Sequence, residues 1–138
     1  MGKQLLLICF LLWGAWWDLK TRTFPAVGLA LFALAGLFAQ IMVRDRGIWD
    51  IIGGAALGAV LLAASFLYPE GIGEGDGLFV FVTGIFLGFW DNLALLFFGL
   101  LLALAVGLVC AAFGQKLRDI RLPLAPFLLL VGLGMFLL

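Results

Sequence analysis

Apolar segments long enough to cross a lipid bilayer make up most of this chain. The segment Ala26 to Val43 has 18 residues, and as a helix it would be about 27 Å long, enough to cross the hydrocarbon. Apolar residues account for 66% of the sequence and charged residues for 12%. A soluble core of 138 residues does not need that much apolar surface. We therefore expect the bilayer to be the solvent for most of the chain.

The expected fold is all-α, a polytopic membrane helix bundle in one domain of residues 1–138. The apolar segments predict about six transmembrane helices, at residues 4–17, 26–43, 48–68, 77–90, 93–113 and 122–138. The stretch from Leu78 to Phe113 has 36 residues, slightly fewer than the roughly 40 that two crossings and a turn require. Either the fourth helix begins before Asp76, or this part of the membrane is thinned or recessed.

Composition excludes several classes of function. The eight basic and eight acidic residues cancel, and no basic patch suggests a nucleic-acid partner. Cys9 and Cys110 lie within apolar runs, without Cys-x-x-Cys spacing and without any histidine in the chain. We therefore expect no metal site, no thiol–imidazole pair and no cofactor.

Two aspartates at segment boundaries are the candidate chemical groups. Asp76 ends the segment Gly73-Glu74-Gly75-Asp76, where glycines allow close approach of a substrate and a carboxylate near hydrocarbon is costly enough to suggest function. Asp18 ends the first predicted crossing and Asp76 starts the fourth. Because two crossings separate them, both are expected at the same membrane face.

Paired carboxylates can hydrolyse a peptide bond. Two nearby aspartates repel when both are ionised, so one of them holds a proton at neutral pH. The ionised carboxylate takes a proton from the attacking water, and the protonated one polarises the scissile carbonyl. The structural alternative is a solvated boundary charge at Asp18 and a simple Gly-Asp-Gly turn at Asp76.

Three segments resemble motifs of the type IV prepilin peptidases. Asp18 to Pro25 resembles their Asp-x-x-x-Arg-x-Ile-Pro element, and Gly73 to Asp76 matches their Gly-x-Gly-Asp motif. Leu122 to Phe127 is similar to the proline-rich start of their last helix. The resemblance implies an integral membrane aspartic endopeptidase whose catalytic pair is Asp18 and Asp76.

The family removes the short basic leader of prepilins and pseudopilins at the cytoplasmic face of the prokaryotic inner membrane, so such a protein is the expected partner. In six crossings, five basic residues would share the face of the two aspartates and three would lie on the other. The positive-inside rule then places the active site in the cytoplasm and both termini outside.

The resemblance also assigns supporting residues. Gly73 and Gly75 would shape the motif, while Arg22 and Pro25 would hold the first loop. Independently of the family, the loop around the motif carries acidic residues without a basic one, so Glu74 and Glu70 are candidate contacts for the basic leader.

The chain departs from the family pattern at several positions. Leu78 stands where the family usually has lysine, which removes a cation near Asp76. Nothing corresponds to the soluble insertion with paired cysteines of larger members, so methyltransferase activity is not expected from the resemblance.

Other functions remain open at this point. These are a small channel or transporter, a structural subunit of a secretion machine, a presenilin-type protease and a catalytically inactive family member. An ion-coupled transporter usually carries an ionisable residue in mid-membrane, and the charged residues of this chain all fall at predicted segment boundaries.

Overall fold

The structure is a computed structural model that describes residues 2–21, 25–44, 47–67, 74–114 and 125–137. These residues form five helices and contain no strand. The helices are α1 (Gly2–Thr21), α2 (Ala26–Val43), α3 (Ile48–Leu67), α4 (Glu74–Ala112) and α5 (Ala125–Leu137). The prediction of an all-α fold is confirmed.

Helix α4 is broken at Gly88, whose backbone has φ 80° and ψ −173°, a conformation that essentially only glycine adopts. In an unbroken helix Val80 and Asn92 would be about 18 Å apart. Instead, the Asn92 Nδ2 amide donates a hydrogen bond to the Val80 carbonyl at 3.2 Å. Helix α4 therefore folds back on itself, and its first arm (74–87) lies against the start of its second arm (89–112).

The helix bounds differ from the prediction in two places. Helix α1 continues to Thr21, beyond the predicted segment 4–17, so Asp18 lies in its last turn. The interruption in α4 comes at Gly88, before the polar pair Asp91-Asn92 that was expected to separate the fourth and fifth helices. That pair lies inside the second arm. Asn92 can be buried there because its side-chain amide forms its hydrogen bonds with other residues of the protein.

Among the described residues, three helical stretches are long and apolar enough to cross a membrane, judged by length and composition. These are Ala26–Val43, Ile48–Leu67 and Gly75–Ala112. The apolar part of α5, Ala125–Phe136, is shorter. These stretches support a membrane protein, whereas the number of six crossings stays a prediction.

Helix α3 packs closely on the first arm of α4 through small residues. A Cβ atom added to Gly54 would lie 2.5 Å from the Gly84 carbonyl oxygen, and one added to Gly58 would clash with the backbone of Phe81. Position 54 thus faces position 84 and position 58 faces position 81, so the two helices run antiparallel. Close backbone approach of this kind is the usual role of small residues at membrane helix interfaces.

Aromatic side chains join α1, α2 and the first arm of α4. Phe10 of α1 is completely buried, and its ring lies 4.5 Å from that of Phe79 and 5.0 Å from that of Phe32. Phe86 is buried in the same cluster. Three helices thus meet at one aromatic core, which fixes how α1 and α4 are aligned along their length.

Candidate functional site

Asp18 is held at the start of α5. Its side chain is only 4% exposed, and its Oδ2 oxygen accepts a hydrogen bond from the backbone N–H of Ala125 at 3.0 Å. Ala125 is the first residue of α5, and the first N–H groups of a helix have no partner within it. The partial positive charge at a helix N-terminus also favours a carboxylate. The contact therefore fixes one oxygen of Asp18.

Asp76 lies in the first turn of α4, which begins at Glu74. Of the two alternatives that the sequence left open, the structure thus has the fourth helix beginning before Asp76. The Asp76 side chain is partly buried. A position in the first turn of a helix gives this carboxylate a fixed direction that a glycine-rich loop would not.

The structure brings Asp18 and Asp76 together at one end of the bundle. Phe79, one turn after Asp76, packs against Gly14, one turn before Asp18, and leaves no space there for a Cβ atom. This alignment of α1 with α4 brings the two carboxylates close enough for electrostatic repulsion between them. Two carboxylates from distant parts of the chain therefore share one partly enclosed environment.

The other predicted site residues are described only in part. Pro25 precedes α2 in an extended conformation, and its carbonyl accepts a hydrogen bond from the Leu29 N–H at 3.1 Å. Gly75 lies in the first turn of α4. Arg22, Gly73, Glu70 and the side chain of Glu74 lie outside the described residues.

No group of three or more histidine, cysteine, aspartate or glutamate side chains that could hold a metal ion occurs among the described residues. The chemistry that these residues offer at this end of the bundle is that of two carboxylates.

The polar side chains that surround Gly88 were not among the residues predicted from the sequence. Gln40 donates from Nε2 to the carbonyls of Ile85 and Phe86, at 2.7 and 2.9 Å. Both carbonyls lie in the last turn of the first arm, where a helix leaves carbonyls without internal partners. The amide of Gln40 therefore completes the backbone hydrogen bonding at the end of this arm.

Asp50 acts in the same way at the start of the second arm, and Asn92 joins this arm to α3 and to the first arm. The N–H of Phe89, the first residue of the second arm, donates to Oδ1 of Asp50 at 2.9 Å. Asn92 donates to the Gly54 carbonyl at 3.0 Å and accepts from the Thr83 hydroxyl at 2.7 Å. We call Gln40, Asp50 and Asn92 the Gly88 cluster. A polar residue at the end of, or within, an apolar segment was the available signal for these positions.

The model of the type IV leader peptidase family matches residues 5–111 of the chain. The match includes both Asp18 and Asp76 and ends before α5. No curated protein and no solved structure matches the chain. Because the family model covers well over half of the sequence, the chain belongs to the type IV leader peptidase family.

Proposed function

We propose that this protein is a membrane aspartic endopeptidase that removes the basic leader of type IV prepilins or pseudopilin-like proteins. Its active site would face the cytoplasm at the prokaryotic inner membrane. Membership in a peptidase family supports a protease. The observation that carries the proposal is the packing of Phe79 against Gly14, which brings Asp18 and Asp76 to the same end of the bundle, because paired carboxylates are the groups that this hydrolysis requires.

In the proposed reaction the two carboxylates share one proton, since both cannot easily be ionised at short range. The ionised carboxylate takes a proton from water as the water oxygen bonds to the scissile carbonyl carbon. The protonated carboxyl group donates a hydrogen bond to the carbonyl oxygen and stabilises its developing negative charge. A proton then passes to the leaving nitrogen, the carbon–nitrogen bond breaks, and the pair again holds one proton.

The contact between Asp18 and α5 supports this role. A carboxylate that is to accept a proton must keep a fixed position relative to the water that it activates. The Ala125 N–H bond engages Oδ2 of Asp18 and restricts rotation of the side chain. Helix α5 therefore serves as a positioning element in the proposed site.

The test is cleavage of a candidate prepilin in membranes by wild type, Asp18→Asn and Asp76→Asn. Asparagine keeps the size of the side chain but cannot act as base or acid, so we expect each single variant to lose activity by about 10³-fold or more. Asp50→Asn is the matched control, because it removes one carboxylate and keeps an oxygen that can accept from Phe89. We expect it to retain most of the activity.

Full processing by either single variant would exclude the paired-carboxylate mechanism. Failure of the folded wild type to cleave prepilins with basic leaders would instead favour an inactive family member or a non-enzymatic membrane role. The variants are compared at equal abundance in the membrane, so that loss of folding is not counted as loss of chemistry.

A further inference from the structure

A second polar site lies at the other end of the bundle. A cavity of about 260 Å³ is lined there by Lys3 and Gln4 of α1, Asp91 of α4 and Met135 of α5, among others. Lys3 precedes Asp18 by 15 residues along α1, which corresponds to about 22 Å. The cavity is therefore separate from the two aspartates that we propose for catalysis.

The cavity is formed where several helices end or turn. Lys3 lies in the first turn of α1, Met135 and Phe136 lie near the end of α5, and Leu87 immediately precedes the break at Gly88. In a bundle that crosses the membrane, such helix ends lie near the boundary between hydrocarbon and water. Lipid headgroups are concentrated at this level of the bilayer.

The lining combines two opposite charges with an apolar wall. Lys3 supplies a cation, Asp91 supplies an anion, and Leu7, Phe86 and Phe136 are among the apolar residues. The Lys3 ammonium donates to Gln40 Oε1 at 3.4 Å; an ammonium has three donors, so this bond does not by itself prevent contact with a phosphate. A ligand that complements the lining carries both signs of charge and an apolar part.

We propose that this cavity binds the headgroup of a zwitterionic phospholipid with a primary ammonium group, as in phosphatidylethanolamine. Lys3 contacts the phosphate, Asp91 accepts hydrogen bonds from the ammonium, and the apolar wall contacts the first part of an acyl chain. The proposal does not depend on the catalytic role of the aspartates at the other end.

Charge and hydrogen bonding distinguish this ligand from other common lipids. A choline headgroup has the same charges, but its quaternary ammonium has no N–H to donate to Asp91. Phosphatidylglycerol has no cation for Asp91, and its negative charge would be repelled by that carboxylate. The expected order of binding is ethanolamine, then choline, then glycerol headgroups.

The experiment uses full-length protein, delipidated in detergent and mixed with phosphatidylethanolamine, phosphatidylcholine or phosphatidylglycerol of identical acyl chains. Native mass spectrometry measures the lipid retained by wild type, Lys3→Gln and Asp91→Asn. We expect wild type to retain the ethanolamine lipid about threefold or more over the choline lipid, and each variant to lose about threefold or more of it. Lys20→Gln, the same change at the exposed opposite end, should bind like wild type.

Equal retention of the three lipids by wild type, or unchanged retention by both variants, would overturn the proposal. Lys3→Arg and Asp91→Glu keep the charges and should keep the preference, which separates lost recognition from lost folding. Glycerophosphoethanolamine, which has the headgroup without acyl chains, is added as a competitor. Displacement of the lipid at comparable concentration would overturn the assignment to a lipid and indicate a soluble zwitterion.

Discussion

The two ends of the bundle use buried polar side chains in different ways. Around Gly88, Gln40 and Asp50 bond to backbone groups at the break in α4, and Asn92 joins the second arm to α3 and to the first arm. At the other end, Asp18 and Asp76 are held where their charges repel. The polar groups around Gly88 stabilise the fold, whereas the repulsion between Asp18 and Asp76 lowers the stability of the folded protein. We interpret that cost as the mark of a chemical function.

Asp18 combines a structural hydrogen bond with charge repulsion. Its Oδ2 oxygen accepts from the N–H of Ala125, as a structural carboxylate would, and the same carboxylate repels Asp76. We therefore expect substitution of Asp76 to lower activity without lowering stability, and substitution of Asp18 to lower activity and also to weaken the stabilising bond to Ala125. Substitution within the Gly88 cluster should affect stability alone.

The largest expected effect is that of Asp76→Asn on activity. We expect cleavage to fall about 10³-fold, equivalent to about 4 kcal/mol in the transition state, while the thermal midpoint in detergent stays the same or rises. A neutral amide removes the repulsion with Asp18 and is less costly to bury partly. Asp18→Asn should lose activity equally but gain less stability, because it weakens the bond to Ala125. A large loss of stability in Asp76→Asn would place Asp76 with the structural polar groups.

Gly88→Ala should have the next largest effect, on folding. A Cβ atom in the conformation with φ 80° and ψ −173° costs about 1–3 kcal/mol, and relief of that strain would require α4 to straighten. We expect a strongly lowered thermal midpoint. Gly134→Ala is the matched control, since an added Cβ meets nothing within 4 Å there; it should leave the midpoint unchanged or slightly higher. Equal midpoints for the two variants would contradict the fold-back at Gly88.

Gln40→Leu tests whether the Gly88 cluster stabilises the fold. Leucine cannot donate to the Ile85 and Phe86 carbonyls, and a buried polar group without a partner costs about 1–3 kcal/mol. We expect a lower free energy of unfolding, measured by denaturant titration in detergent, with cleavage by the remaining folded protein unchanged. If the variant were as stable as wild type but inactive, Gln40 would be needed for activity and not for stability, which would contradict its assignment to the residues that stabilise the fold.

Ala125→Pro should have the smallest effect and is the sharpest test of the α5 contact. Proline has no N–H to donate to Asp18, yet it is well tolerated at the first position of a helix. We expect kcat to fall about tenfold, equivalent to about 1.4 kcal/mol, with a small change in the thermal midpoint. Ala125→Val is the control for added bulk at this buried position, because it keeps the N–H. Equal kcat values for the two variants would argue against positioning by α5.

Much of this molecule could be predicted from hydropathy and from local motifs. The bounds of α2 coincide with the predicted segment 26–43, because Pro25 fixes its start and the segment is uniformly apolar. Counting crossings predicted one face for Asp18 and Asp76, and the structure has both at one end of the bundle. Such inferences depend only on the order of segments along the chain.

The turn in α4 could not be predicted from the same signals. Asp91 and Asn92 lie between the predicted segments 77–90 and 93–113, but Asn92 has its hydrogen-bond partners at Gly54 and Thr83, inside the bundle. Its environment is decided by segments that are distant in sequence. The position of Asp18 inside α1 likewise depends on a residue distant in sequence, since the partner of its carboxylate is Ala125, 107 residues away.

The fold-back at Gly88 has a consequence for how the protein enters a membrane. The stretch Gly75–Ala112 is apolar throughout most of its length, and Asp91 is the single charged residue within five positions of the turn. Both arms can therefore be inserted together as a preformed hairpin, with no hydrophilic loop to be carried through the hydrocarbon. Biogenesis of this region would then require folding at the translocon rather than translocation of a loop.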